Sequence, residues 1–513
     1  VYLKFIKRIA FFISVLALTA GMYFVYWSSG VRPVTVVYTS DGHGNILPVN
    51  MEVQGKSEAA GGLMKFKSFI SGLDKPYILL DSGNMLHGAP EAVVTQGRMV
   101  VDIKNTLGYD ACALGSYDFL YGRDILESLI NSAEFPFLAA NIFDEESESA
   151  SGLLREPAFM EIGGVKVGVA GLVSPYAQNH IPAEKMGGLK QRDWQESAIR
   201  AAEKMSGEGA DIRILLSNGG IEHDKNISEK IEGIDVILGG QPNEKMRDAA
   251  IFNGVLLGHS GYEYAHPGKL TLFYCSRQNK ILSYTNKFEF ISGEKYSEST
   301  EIKARLEEEN IQDDFWEEIG VSENYMPNYT VGEGVKHGEL SIGNWQTDLM
   351  REKMGADLAF QSPHRIRASI PKGRIKLRDI WSVSPFNDRI VKMELTGKQI
   401  REILEISLSE RYSIMQVSGM QVLYNDSLPE GNRLLNVILE DEDGRKRELR
   451  EDESLKVAVT AYLSKGPGGY GHFSDADVIE ESSEGFRDLQ IEYIKNNRSI
   501  NAVKEGRLVN VRL

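Results

Sequence analysis

The sequence predicts a layered α/β protein of two domains, and three observations carry that expectation. From Val34 onward, short apolar runs rich in β-branched residues alternate with helix-period patterns. Each run is followed by a loop rich in Gly, Ser, Asn, Asp or His, which is where an α/β protein assembles a site. A charge-rich stretch, EIKARLEEENIQDDFWEEIG, separates two such units. With 513 residues and 42% apolar side chains, the chain can bury two or three cores at roughly 100–200 residues per domain.

In chain order, residues 1–30 read as a membrane anchor or signal segment. Lys4, Lys7 and Arg8 precede an uncharged run, Ile9 to Trp27, long enough to cross a bilayer at about 1.5 Å per residue. The basic flank predicts the start inside and the remainder outside. A cleaved signal peptide is the alternative, with Leu18-Thr19-Ala20 before the cut. Either places the rest in the periplasm or at the cell surface, where Cys112 and Cys275 could pair. Two cysteines exclude a disulfide framework and a thiolate zinc cluster. A net charge of −16 lacks the basic footprint of a phosphate-backbone binder, so no nucleic-acid partner is expected.

Residues 31–291 form the first domain. Val34–Tyr38, Tyr77–Leu80, Ala111–Leu114, Val165–Leu172, Ile212–Leu216, Val236–Leu238 and Val255–Leu257 read as buried strands. Residues 292–333 read as an exposed connecting helix without chemistry. Residues 334–513 form the second domain, with a helix at Ile342–Met354 and a strand at Ala356–Phe360. A second helix, Gly397–Leu408, carries Ile400, Ile403, Leu404 and Leu408 on one face. No 20–50-residue repeat is present, which excludes a solenoid.

The first strand ends in Asp41-Gly42-His43-Gly44-Asn45. An Asp and a His two apart can face one cation, and the same residues also make ordinary turns. In order there follow Gly61-Gly62-Leu63, Asp81-Ser82-Gly83-Asn84, Leu114-Gly115-Ser116-Tyr117-Asp118, Ser217-Asn218-Gly219 and Gly239-Gly240-Gln241-Pro242-Asn243. This succession resembles the 5′-nucleotidase and UDP-sugar hydrolase family. The resemblance implies a four-layer metallophosphoesterase domain, a β-sandwich flanked by helices, followed by a second α/β substrate-binding domain. It also implies two divalent cations, manganese or zinc, that polarise a phosphoryl oxygen and activate a bridging water.

The family's pattern is Asp-x-His, Gly-Asp, Gly-Asn-His-(Asp/Glu), Ser-His and Gly-His-x-His. Asp41 and His43 keep the first element. Asn84 stands at the bridging aspartate, Ser116 and Tyr117 at the Asn-His ligand and catalytic histidine, Asn218 at the Ser-His ligand, and Gln241 and Asn243 at the last pair. Neutral amides and a hydroxyl are weak ligands for zinc or manganese, so the pattern predicts that two-metal hydrolysis is weakened or lost. Asp81, His87, Asp118, His223 and His259 lie near the replaced positions. They read either as parts of a shifted, mononuclear site or as caps and hydrogen-bonded side chains.

In the second domain, Gln361-Ser362-Pro363-His364-Arg365-Ile366-Arg367 falls where the family has Asn-Gly-Gly-Gly-Ile-Arg. Arg367 is kept and Arg365 added, and guanidinium groups suit phosphate or carboxylate. Ser384-Pro385-Phe386-Asn387 and Gly466-Pro467-Gly468-Gly469-Tyr470 match two further family loops. By that match Phe386 and Tyr470 would bracket a nucleobase and, both lying in Gly/Pro loops, be exposed. Lys336 falls near a phosphate-facing basic position. The expectation is an exported, membrane-tethered protein that binds a nucleotide or related anionic small molecule. An active hydrolase with an altered metal site and a protein-interaction scaffold are the alternatives.

Overall fold

The computed structural model describes residues 30–512, except 54–55, 146–153, 155–156, 176, 178–180, 182, 241–245, 247, 310–314, 329–337, 410–412 and 441–444. The chain packs as two compact units. One ends at Ser299; the other runs from Thr300 to Leu513 and takes in residues 50–58 and 88–94.

The first unit holds two six-stranded sheets. In one, the order is Lys280–Phe288, Gly268–Cys275, Val31–Thr39, Ile78–Asp81, Ala111–Ala113, Phe137–Leu138. In the other it is Ala250–Phe252, Val255–His259, Val236–Gly239, Ile212–Ser217, Val165–Leu172, Ala158–Ile162. Alternation decides how they stack: Val34, Val36, Tyr38 and Leu80 of the first share one buried cluster with Val167, Val169, Ile214, Leu216 and Leu238 of the second. The outer face of the second sheet, through Ala170, Leu215, Ile237 and Leu257, packs on the helices Trp194–Gly207 and Ile221–Lys230. Helices Gly62–Ser71 and Arg98–Leu107 bury the apolar stripes Leu63, Phe66, Phe69 and Met99, Ile103, Leu107. This is the expected helix-flanked β-sandwich of the metallophosphoesterase type.

The second unit has a five-stranded mixed sheet, ordered Gln416–Ser418, Leu358–Gln361, Ser454–Thr460, Arg389–Thr396, Val478–Gly485. The helix Ser341–Met354 packs on one side through Ile342, Trp345, Leu349 and Met350. The helix Gly397–Ser407 packs on the other through Ile400, Ile403 and Leu404. Thr396 caps the latter by accepting from Gln399 N, with Gln399 reciprocating, a capping box.

Two expectations change, and a third falls on residues that are not described. The stretch 292–333 is not a single exposed helix. Thr300–Glu308 is helical with Ile302 and Leu306 buried, and Glu318–Ser322 is a strand paired with Gly373–Lys376 and Ser499–Ile500. Ile319 is fully buried, one apolar anchor that the surrounding charges disguised in the sequence. Cys112 and Cys275 are both buried and form no disulfide. They lie on strands separated by Val31–Thr39 and Ile78–Asp81 at about 4.8 Å per step, too far apart to bond. The run Ile9–Trp27 lies outside the described residues, and no helix among those described is long and apolar enough to cross a membrane.

Candidate functional site

In the first unit the site grows from parallel pairing. Thr39 stands opposite Asp81, so the loops that follow both strands leave the sheet side by side. Asp41 N donates to Gly83 O at 2.9 Å and His43 N to Asn84 O at 2.8 Å. Asp41, His43 and Asn84 have φ of 48°, 46° and 59°, a left-handed conformation that non-glycine residues seldom hold without surrounding support.

The Asn84 side chain is the hub. Its Nδ2 donates to Asp41 Oδ1 at 2.9 Å and to Asn218 Oδ1 at 3.1 Å, and its Oδ1 accepts from Tyr117 N at 3.0 Å. Asp41, Asn84, Asn218 and Ser116 are all buried. Gly115 makes the approach feasible, since a Cβ there would sit 2.2 Å from Asn84 Oδ1. His43 Nε2 lies 4.0 Å from Asp41 Oδ1, and its ring meets Tyr117 edge-on at 5.5 Å between centroids. Asp41, His43, Asn84, Ser116, Tyr117 and Asn218 are thus brought together, while Gln241 and Asn243 lie outside the described residues.

Two buried acids fix this shelf from behind. Asp118 accepts from the backbone N–H groups of Asn84, Met85, Leu86 and Gly115, each at 2.8 Å. Burial nevertheless pushes its carboxyl up to about 6, because four neutral donors do not fully replace water. Asp81 accepts from Gly83 N, Thr39 Oγ1 and Lys104 Nζ, the last at 2.7 Å with both side chains fully buried. Burial alone would push the Lys104 ammonium down; Asp81 overcomes this and holds it well above its ordinary value. The faces of Tyr109 and Tyr264 lie 3.6 and 5.4 Å from the same ammonium. Lys104 was not singled out from sequence; the one signal is its place on the buried stripe of Arg98–Leu107.

The spare histidines do not join the shelf. His87 packs on Tyr121 and His223 on Trp194, where burial pushes its imidazole pKa down. His259 Nε2 is 2.6 Å from Asp224 Oδ2, and Asp224 also accepts from Ser217 Oγ. That bridge joins two strand ends across Gly239, where a Cβ would lie 2.1 Å from His259 Nε2. Among the described residues, no three His, Cys, Asp or Glu side chains converge on a common point.

In the second unit a recess of about 240 Å³ is lined by Gln361, Arg365, Ser384, Phe386, Asn387, Asp388, Thr460, Phe486 and Arg487. The Arg365 guanidinium lies 3.6 Å from the centroid of Phe386 and 4.4 Å from that of Tyr462, and pairs with Asp388. Arg367 is half-buried and is not among the residues that line the recess. Tyr470 is not exposed as its Gly/Pro loop suggested. At 6% exposure it belongs to the core cluster, because the turn Pro467–Gly469 folds it onto Phe473. Lys336 lies outside the described residues.

Residues 318–475 match the model of the 5′-nucleotidase C-terminal domain. Snake venom 5′-nucleotidase of Crotalus adamanteus is 26% identical, covering 99% of this chain and 92% of the venom protein. The human 5′-nucleotidase is 24% identical over 94% of the chain. The chain is a relative of the 5′-nucleotidases. Among solved structures, a 5′-nucleotidase precursor from Thermus thermophilus superposes with a TM-score of 0.82 at 25% identity, covering 94% of this chain and all of that one. The sulfate thiohydrolase SoxB from the same genus, at 0.80 and 18% identity, shares the fold.

A two-cation nucleotidase centre needs anionic or imidazole ligands converging on each ion. In this nucleotidase relative the central position presents an amide N–H to Asp41 and to Asn218, so the lone pairs that would face a cation are turned toward a hydrogen-bond donor. The described donor set does not fit a pair of divalent ions.

Proposed function

We propose that this protein is an exported, membrane-tethered member of the 5′-nucleotidase group that binds a nucleotide or related phosphorylated ligand, with two-metal hydrolysis weakened or lost. The observation that carries the reading is the Asn84 amide, which satisfies Asp41 and Asn218 where the enzymes of the group need cations. The bond to the Asp41 carboxylate contributes roughly 1.5–3 kcal/mol and the one to Asn218 roughly 0.5–1.5 kcal/mol, with no ion in the network. Support for ligand binding comes from the second-domain recess, where Arg365 and Phe386 meet as a cation and an aromatic face. Support for export comes from Lys4, Lys7 and Arg8 ahead of the run Ile9–Trp27.

The test is elemental analysis of the purified full chain with turnover assays on 5′-nucleotides and UDP-sugars in added manganese. Substoichiometric metal and no turnover above background, together with measurable nucleotide binding, are the expected results. Stoichiometric metal with turnover abolished by Asp41→Ala would overturn the reading.

A further inference from the structure

The recess in the second unit contains a buried charge that the protein pairs only weakly. Arg487, on the first turn of the helix Phe486–Asn497, is 7% exposed and stacks on Trp381 with 3.5 Å between guanidinium carbon and ring centroid. Its Nη1 donates to Pro385 O at 3.2 Å, while its Nε is buried with no hydrogen-bond partner. The carboxylate beside it, Asp488, comes no nearer than 4.0 Å, is half-exposed, and accepts instead from Asn387 Nδ2 at 2.9 Å. Burial accordingly pushes the guanidinium down to about 10, a direction that marks desolvation without adequate compensation.

The rest of the lining explains what would complete it. Asp388 is committed to Arg365, so the two cations and one anion of the recess leave one positive charge over. Behind it lies a closed amide chain: Gln361 Nε2 donates to Gln346, Gln346 Nε2 to Gln490 and Ser384, and Gln490 Nε2 to Ser384 Oγ. The hydroxyls of Ser384 and Thr460 and the amide of Asn387 border the same space. A planar guanidinium backed by neutral donors recognises an oxyanion. The recess is small and open to solvent on one side, which fits a small acid or the acidic end of a longer molecule.

We propose that this recess is an oxyanion-binding site, with Arg487 as the binding cation and a carboxylate or phosphate group as the ligand. The inference deepens, and rests on, the reading of the recess as the ligand site. It adds that recognition there begins at an acid group.

Calorimetric titrations of the full chain with sodium succinate and with sodium phosphate, against matched sodium chloride, test it; AMP is titrated as a separate arm. Saturable binding of succinate, phosphate or both is expected, and whichever binds identifies the acid chemistry. Arg487→Met keeps the packing on Trp381 but removes the charge, and it should weaken that binding by at least about tenfold. Arg487→Lys keeps the charge without the planar fork and should lie between. Absence of binding by either anion, or equal binding by wild type and both variants, overturns the proposal. AMP binding with no anion effect sinks the oxyanion site and leaves the nucleotide reading standing; anion binding without AMP binding does the reverse.

Discussion

Around the first-domain shelf, each buried acid is met by donors: Asp41 by the Asn84 amide, Asp81 by Lys104, and Asp118 by four backbone N–H groups. In the second-domain recess, Arg365 is met by Asp388, whereas Arg487 has one backbone carbonyl and an unpartnered Nε. The difference separates buried charges that are met within the fold from one that keeps an unpartnered donor.

The comparison breaks most readily at Lys104. Replacing it with Met leaves Asp81 as an uncompensated buried carboxylate, and the expected loss is about 3–5 kcal/mol, read from denaturant midpoints. Lys104→Met combined with Asp81→Asn should recover most of that loss, because the cost lies in the orphaned charge. A double variant as unstable as the single one would show that the lysine matters through its packing on Tyr109 and Tyr264 instead.

Asp118 gives the next effect, and its sign is opposite to that of an ordinary salt-bridged acid. Its carboxyl titrates at about 6 in the fold against 3.8 when free, so folding favours the protonated form. The stabilising contribution is fully present below about pH 4 and is lost as pH rises toward about 6, with a slope approaching 1.4 kcal/mol per pH unit. Asp118→Asn removes that slope while also replacing one carboxylate oxygen, the acceptor of two backbone N–H groups, with an amide donor. Stability curves measured from about pH 4 to 7 that remain parallel for the two proteins would contradict the assignment.

Much of this organisation was legible in the sequence, and the exceptions have physical causes. Val165–Leu172 matches its strand end to end, and Ile212–Leu216 and Val236–Leu238 fall one residue short of theirs, because strands buried on both faces read as unbroken apolar runs. The hairpin Gly268–Cys275 and Lys280–Phe288 escaped notice, since the second strand mixes exposed polar residues with half-buried Ile281, Tyr284 and Phe288 and lacks a continuous apolar signal. The six residues Asp41, His43, Asn84, Ser116, Tyr117 and Asn218 were found through the resemblance to the family's motif order, and they meet because loops after parallel strands converge whatever their side chains. Lys104 and Arg487 were not, because a cation on a helix reads as solvated until its burial is known. Tyr470 failed for the converse reason: a Gly/Pro loop suggests exposure, but this one folds its aromatic onto Phe473.

Asn84→Asp tests whether the first site is closed by chemistry or merely by sequence drift. The substitution removes two donated hydrogen bonds and sets one carboxylate against another, Asp41. The expected loss is about 2 kcal/mol without metal at neutral pH, shrinking in acid as one of the pair protonates. Added manganese should restore part of the loss in this variant and raise the melting temperature of the wild type little or not at all. Equal stabilisation of both by manganese would mean that the amide hub gives way to an ion.

The smallest effect sharpens the second-domain half of the comparison. Phe386→Ala removes one aromatic face from Arg365 but leaves Asp388 and the Tyr462 ring in place, so the guanidinium keeps its charge partner. The cation–π contribution at such a partly exposed position is about 0.5–1 kcal/mol, and the loss in stability should be of that order. Anion binding at Arg487 should persist in this variant, because the charge held to recognise the ligand is not the one that Phe386 supports. If anion affinity fell with Phe386→Ala as far as with Arg487→Met, the two arginines would act as a single unit. The division between a compensated and an uncompensated cation would then be lost.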